Sequence, residues 1–262
     1  MAPRPDSHGC KDGAGPAAHQ PKAASGSVLL FEAQASVSGA PDILADLSAA
    51  ELRRVVETGN RIDFKAGDYL FRQGEPHRGI FVLRSGVVRS FYVSPHGREI
   101  TLANWGPGNF VGGPDIFETG PHVWSGVAVE AGQALHLSAP AVRQLMATVP
   151  NFSIGLIKGL AFKGKCYSSL LQVLATRSVV ERLALLLLNF AEPHGTERDA
   201  CVVIAASPSH EELAAMVGAT RQWISMALER FRKRGLIETR NRRLVILRPA
   251  ALAAIADGVE NL

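Results

Sequence analysis

At Pro150 the chain changes its period, and that change restricts its fold more than any other feature. From Arg61 to Leu137, short β-favouring runs (Tyr69–Phe71, Ile80–Leu83, Val87–Val93 and Val127–Val129) are punctuated by Gly67, Gly74, Gly86, Gly97, Gly106, Gly108 and Gly132. Many short strands with glycine turns predict an antiparallel, jelly-roll-like β-roll. Beyond Pro150 the rhythm stops. Ile157, Leu160, Gly164, Tyr167, Leu171 and Leu174 then recur at alternating steps of three and four, the seam of a coiled coil. A long helix pairing with a copy of itself follows. The alternative is a helix lying on its own domain: Gly164 weakens helix propensity, although it also permits close backbone approach.

The helical spacing continues. Val179 to Ala191 forms an apolar helix on which Glu181 and Arg182 are expected on the wet side, ended by Glu192-Pro193-His194-Gly195 within a polar linker at 192–200. Ser209 and Glu212 have capping-box spacing and open a helix burying Leu213, Ala214 and Val217, which Gly218 stops. Thr220 caps a second helix. Its Ile224, Leu228 and Phe231 form one face, and Arg221, Gln222, Ser225 and Met226 the opposite arc. A hairpin follows from Ile237 to Leu247, tipped by Arg240, Asn241 and Arg242. Ala214 at the crossing, Gly218 in the turn and Ile224 inside the second helix are the spacing of a helix-turn-helix, with the hairpin as a wing.

That arrangement names candidate DNA contacts. Arg221 suits guanine O6 and N7, Gln222 suits adenine N6 and N7, and Ser225 reaches a base edge or a phosphate. Thr220 and Met226 flank them. Arg240, Arg242 and Arg243 fit phosphates, and Trp223 fits the edge of the core better than DNA. Charge agrees with this. From Thr220 to Arg243 eight basic residues face two acidic ones, a local +6 in a chain whose net charge is +4, so the remainder carries −2.

At 262 residues the length favours two domains. The expected units are a disordered tail at 1–27, an effector-type β-roll at 28–150, a dimerisation helix at 151–176 and a winged helix-turn-helix at 177–262. The fold class is therefore α+β. The three cysteines, Cys10, Cys166 and Cys201, have no metal-binding or disulfide spacing, which fits a reducing cytoplasm. No apolar run approaches the roughly 20 residues of a membrane helix.

The segments Gly67-Asp68-Tyr69-Leu70-Phe71-Arg72-Gln73-Gly74-Glu75 and Gly108-Asn109-Phe110-Val111-Gly112 resemble the cyclic-nucleotide-binding β-roll of the Crp/Fnr family of bacterial transcription regulators. The helix from about Asn151 to Ala175 is similar to that family's dimerisation helix, and Val217-Gly218-Ala219-Thr220-Arg221-Gln222 to its recognition-helix entry. The resemblance implies a homodimer that binds double-stranded DNA on a palindromic site and works with RNA polymerase. It also implies an effector pocket at Gly112, Gly113, Val123, Trp124, Tyr167 and Ser168.

The effector expected here is not cyclic AMP. Where cAMP-responsive members place a ribose-holding Glu and a phosphate-holding Arg-Ser pair, this chain has Gly113, Val123 and Trp124, and no Lys or Arg occurs from Glu99 to Val142. A phosphate would depend on backbone N–H groups at the Gly112-Gly113-Pro114 turn. The cysteine count speaks against an iron–sulfur cluster. His77, His96, His122 and His136 keep haem or another small effector open, but no dedicated cofactor or metal site is expected. Two other classes compete. A metal-dependent cupin-type enzyme needs clustered histidines, yet no His-x-His occurs, and His77 and His96 stand 19 residues apart. A cyclic-nucleotide regulatory protein acting only through protein partners leaves the basic helix without a role.

Overall fold

The computed structural model describes residues 40–113, 120–191, 201–204, 208–240 and 243–260. The expected tail at 1–27, the linker at 192–200 and Arg242 lie outside them. A capping box of Ser48 and Glu51 opens helix α1, Ala49–Thr58. The roll follows as β1 (Asn60–Phe64), β2 (Tyr69–Phe71), β3 (Ile80–Val93), β4 (Glu99–Trp105), β5 (Phe110–Val111) and β6 (Ser125–Leu137). Its order is β1-β6-β3-β4, with β2 also paired to β6 and β5 to β3, every pair antiparallel.

Two runs expected to be separate strands are one. Ile80–Leu83 and Val87–Val93 join into the 14-residue β3 because Gly86 is a bulge rather than a turn. The register with β6 shifts between Leu83 and Val88, and Gly86 holds φ +76°. A Cβ there would meet the Ala131 carbonyl oxygen at 2.7 Å. Likewise Val127–Val129 is part of the first half of the 13-residue β6.

Helix α2 (Ala139–Thr148) leads into α3 (Pro150–Thr176), whose 27 residues span about 40 Å at ~1.5 Å per residue. This helix is the spine of the molecule. Phe152 and Leu156 join a core with Ile43, Val55, Phe110 and Leu145; Phe162 and Cys166 join the interior of the roll with Phe71, Phe81 and Trp105; Leu170 and Val173 join the C-terminal core. Gly155 and Gly159 allow the approach. A Cβ on Gly155 would stand 2.0 Å from the Ile43 carbonyl oxygen, and one on Gly159 would stand 2.9 Å from Phe110.

The C-terminal unit comprises α4 (Val179–Phe190), β7 (Val202–Val203), α5 (His210–Val217), α6 (Arg221–Lys233), β8 (Ile237–Arg240), β9 (Arg243–Ile246) and α7 (Pro249–Ala256). Its sheet runs β7-β9-β8. Leu183, Leu186, Leu213, Val217, Ile224, Leu228, Phe231 and Leu252 form the core. Arg182 departs from expectation, because it is buried rather than wet. Its Nε donates to the Val217 carbonyl at 2.9 Å, and its Nη1 to the carbonyls of Leu174 at 3.2 Å and Arg177 at 2.8 Å. One guanidinium thus satisfies open carbonyls at the ends of both α3 and α5. Among the described residues no single helix is long and apolar enough to cross a membrane.

Candidate nucleic-acid interface and effector compartment

The two short helices of the C-terminal unit are set by local chemistry. Ser209 Oγ accepts from the Glu212 amide while Glu212 caps the Ser209 amide, so α5 starts there. Gly218 at φ +67° closes α5, and Thr220 Oγ1 accepts from the Trp223 amide to start α6. With Ile224, Leu228 and Phe231 buried, Arg221, Gln222 and Met226 are left exposed on the opposite arc. Trp223 packs on the edge of the core. Ser225 is less available than its place on the arc suggests. It is half-buried, with Oγ 2.8 Å from His210 Nδ1 and 3.0 Å from the Arg221 carbonyl oxygen. Burial, then Arg232 and Arg221, push His210 below its ordinary value, which keeps that side chain neutral at pH 7.

In the wing Arg240 faces Arg243 across β8 and β9, and Arg240 is ion-paired with Glu238. Arg232 pairs with Glu229 at 3.5 Å and Arg234 with Glu260 at 2.9 Å. Both acidic residues of the basic segment are therefore taken up by basic neighbours. The first turn of α6 does not stand free of the roll. Thr220 and Arg221 border a cavity of about 790 Å³ whose other wall is the β3–β4 hairpin, with His96, Arg98 and Glu99. Leu102 of β4 packs on the C-terminal core.

On α3 the apolar seam divides. Ile157 (62% exposed), Leu160 (39%) and Leu171 (67%) lie on an open stripe with Gly164 and Ser168, joined by Ile154. A Cβ on Gly164 would meet nothing within 4 Å. Tyr167 and Leu174 leave the expected seam and turn inward. Tyr167 meets Trp105 and Trp124 edge-on at 6.2 and 5.8 Å, and Leu174 packs on the C-terminal core.

Between the roll and α3, side chains of both elements share one core. Trp105 is 1% exposed and donates to Ser90 Oγ at 3.1 Å, with Phe162 and Tyr167 edge-on to its ring. Over that ring, 3.2 Å from its centroid, lies the ammonium of buried Lys163, which also stands 5.0 Å from the Phe110 centroid. Burial pulls this lysine down to about 7. The cation of this compartment comes from α3, outside the Lys- and Arg-free stretch from Glu99 to Val142, which is why that stretch gives no sign of it. Of the expected pocket residues, Trp124 and Tyr167 meet here, whereas Val123 is 45% exposed and Ser168 lies on the open stripe. Gly112 and Gly113 hold φ +131° and +102°, where a side chain is strained, so a glutamate at 113 does not suit this turn.

Of the histidines, His96 is exposed and His136 Nε2 contacts the Arg78 carbonyl oxygen at 3.2 Å. His77 and His122 are buried with ring centroids 4.7 Å apart, and burial, then His77, push His122 down to about 4. His77 Nδ1 accepts from the Gly79 amide at 3.3 Å, and its Nε2 is buried without a hydrogen-bond partner among the described residues. Among the described residues no three His, Cys, Asp or Glu side chains converge as a metal site.

A β-roll joined by a long helix to a winged helix-turn-helix defines a sensor-type domain coupled to a DNA reader. Comparisons with known proteins agree for both halves. The cyclic nucleotide-binding domain family matches residues 61–149, and the Crp-like helix-turn-helix domain family matches residues 181–255. The CRP-like cAMP-activated global transcriptional regulator of Mycobacterium tuberculosis is 30% identical over 185 residues, covering 71% of this chain and 83% of that protein. The transcriptional activator protein Anr of Pseudomonas protegens is 25% identical over 215 residues, covering 82% and 86%. In fold the chain is similar to the c-di-GMP responsive global regulator CLP of Xanthomonas campestris, with a TM-score of 0.67 at 21% identity over 76% of this chain and 99% of that one. The chain belongs to the Crp/Fnr family, and it is a transcription regulator of that type.

Proposed function

We propose that this regulator acts as a homodimer on a two-fold-related DNA site and that its effector is not cyclic AMP. The dimer reading is supported by the open stripe of Ile154, Ile157, Leu160 and Leu171. Exposed apolar side chains in one row on a long helix are costly in water and gain by pairing. Two copies joined along α3 carry two recognition helices, and half-sites about 34–36 Å apart follow from that symmetry. Arg221 and Gln222 read bases, Met226 flanks them, Ser225 braces α5 against α6, and Arg240, Arg242 and Arg243 hold phosphates. Such a protein has no catalytic role; its partners are DNA, its own copy and RNA polymerase in the cytoplasm.

The effector reading is carried by one observation: the compartment between roll and helix holds the Trp105 ring with Lys163 over it. A purine nucleotide entering there has to displace both. By the family resemblance the position of the phosphate-holding arginine is taken by Val123, which carries no charge. Titration calorimetry of the full chain tests this directly: cyclic AMP and cyclic GMP are expected to give no binding heat and no change in DNA affinity. A micromolar dissociation constant for either nucleotide overturns the reading.

A further inference from the structure

A second cavity, of about 530 Å³, lies on the roll between β1, β2 and the 75–78 segment, away from α3. Its volume is in the range of small-molecule sites, roughly 300–1,000 Å³. Its lining includes a row of rings. His122 packs on Phe71 at 4.6 Å, Phe71 stacks on Phe81 at 6.2 Å, and Phe81 packs on His136 at 4.8 Å. His122 Nδ1 has no hydrogen-bond partner among the described residues. Charges of both signs surround the row. Arg72 and Arg78 supply the cations, and neither makes an ion pair among the described residues. Arg72 is held 3.5 Å over the Tyr69 ring, which fixes its guanidinium at the edge. Asp63, Asp68 and Glu75 supply the anions. Asp63 accepts from Gln133 Nε2 at 2.7 Å and Asp68 from the Lys65 amide at 2.8 Å, so both carboxylates are held in place.

From this juxtaposition we propose that the cavity binds a small zwitterion with a flat ring, a free aromatic amino acid being the chemical class that fits. The ring lies along the His122–Phe71–Phe81–His136 row, where stacking and edge contacts favour a planar group over an aliphatic one. The carboxylate pairs with the guanidinium of Arg72 or Arg78, and the ammonium with a carboxylate of Asp63, Asp68 or Glu75, all of which line the cavity. A ligand of a single charge would answer only one sign of the lining charges, while a neutral one would answer neither. The two histidines bordering the ring are pushed below their ordinary values by burial, so at pH 7 they present uncharged faces. This site is separate from the compartment beneath α3 and stands whether or not that compartment takes an effector.

The test uses the full chain with L-phenylalanine, L-tyrosine and L-tryptophan as probes, followed by calorimetry and by the imidazole Cε1–H signals of His122 and His136. At least one probe is expected to bind saturably and move both signals. L-leucine without the ring, phenethylamine without the carboxylate and 3-phenylpropanoate without the ammonium should each bind at least tenfold more weakly. Arg72→Gln and Arg78→Gln, both on exposed side chains, should each weaken the aromatic probe about fivefold or more while leaving the circular dichroism spectrum unchanged. The proposal is overturned if no aromatic amino acid binds at millimolar concentration, if leucine binds equally well, if either arginine variant retains full affinity, or if binding leaves the two histidine signals unmoved.

Discussion

Lys163 is the residue whose replacement tests the packing account most sharply. Its ammonium is buried over Trp105, and its titration falls from an ordinary 10.5 to about 7. Between those values the unfolded chain holds a proton that the folded chain does not, so stability rises with pH, by up to ~1.4 kcal/mol per pH unit. Below pH 7 the whole charge-burial cost is present, on the order of 5 kcal/mol; above 10.5 it is gone. Replacing the side chain recovers only part of that cost, because a methionine does not fill the space of the lysine stem identically. Lys163→Met keeps volume and removes the charge, so the variant should be more stable than the parent by about 2–3 kcal/mol at pH 6. The advantage should shrink by about 2 kcal/mol or more on going to pH 9. Urea unfolding at both pH values, at one fixed protein concentration because the proposed dimer would make stability depend on concentration, gives the comparison. An advantage of equal size at pH 6 and pH 9, or a variant weaker than the parent at pH 6, would refute the argument that an unpaired ammonium is held there at a cost.

Leu171→Glu puts a charge on the open stripe of α3, and sedimentation should find it monomeric at micromolar concentration, with DNA binding lost in step; a stable dimer would place the interface elsewhere. Arg182→Met leaves the carbonyls of Leu174, Arg177 and Val217 without their donor and should cost about 2–4 kcal/mol in urea unfolding, set by several charge-assisted hydrogen bonds against one relieved burial. A loss below half a kcal/mol would show that the guanidinium does not hold the α3 and α5 ends together. Arg221→Ala should weaken the cognate site by about 1–3 kcal/mol and relax one base position per half-site. Arg242→Ala should instead weaken cognate and random DNA alike and lower the salt slope by about one per subunit. Site selection at two salt concentrations separates them, and an unchanged base preference in Arg221→Ala would mean that another residue reads DNA.

Much of this protein could be read without coordinates wherever short-range chemistry decides. The Ser209 and Glu212 cap, the αL stop at Gly218, the Thr220 cap and the buried face of Ile224, Leu228 and Phe231 are all matters of residue type within one or two turns, and they reveal the helix-turn-helix directly. The glycine-turned strands of the roll were legible in kind for the same reason. Gly86 has the sequence look of a turn because a bulge is defined by its partner strand, here Ala131 on β6.

Helix α3 shows where local pattern stops. It carries two interleaved seams of equal spacing: Ile157, Leu160, Gly164, Tyr167, Leu171 and Leu174, and one position over, Phe152, Leu156, Gly159, Lys163, Cys166, Leu170 and Val173. The second contains a lysine, which marks it as wet by composition, yet it is the buried one. Periodicity sets that a helix has a buried stripe, but which stripe is buried depends on what approaches from far away in sequence. Here Ile43, Phe110 and Trp105 come against Gly155, Gly159 and Lys163, and the Trp105 ring gives the ammonium a partner that no carboxylate provides. Arg182 belongs partly to the same class, since the Val217 carbonyl, 35 residues away in sequence, reaches it only when α5 packs on α4. Sequence alone determined the change from a β-roll to helices and the succession of capped helix, turn, recognition helix and wing hairpin, through caps, turns and spacing. The tertiary structure decided which charges go inside, because burying a charge is tolerable only when distant groups arrive together to receive it.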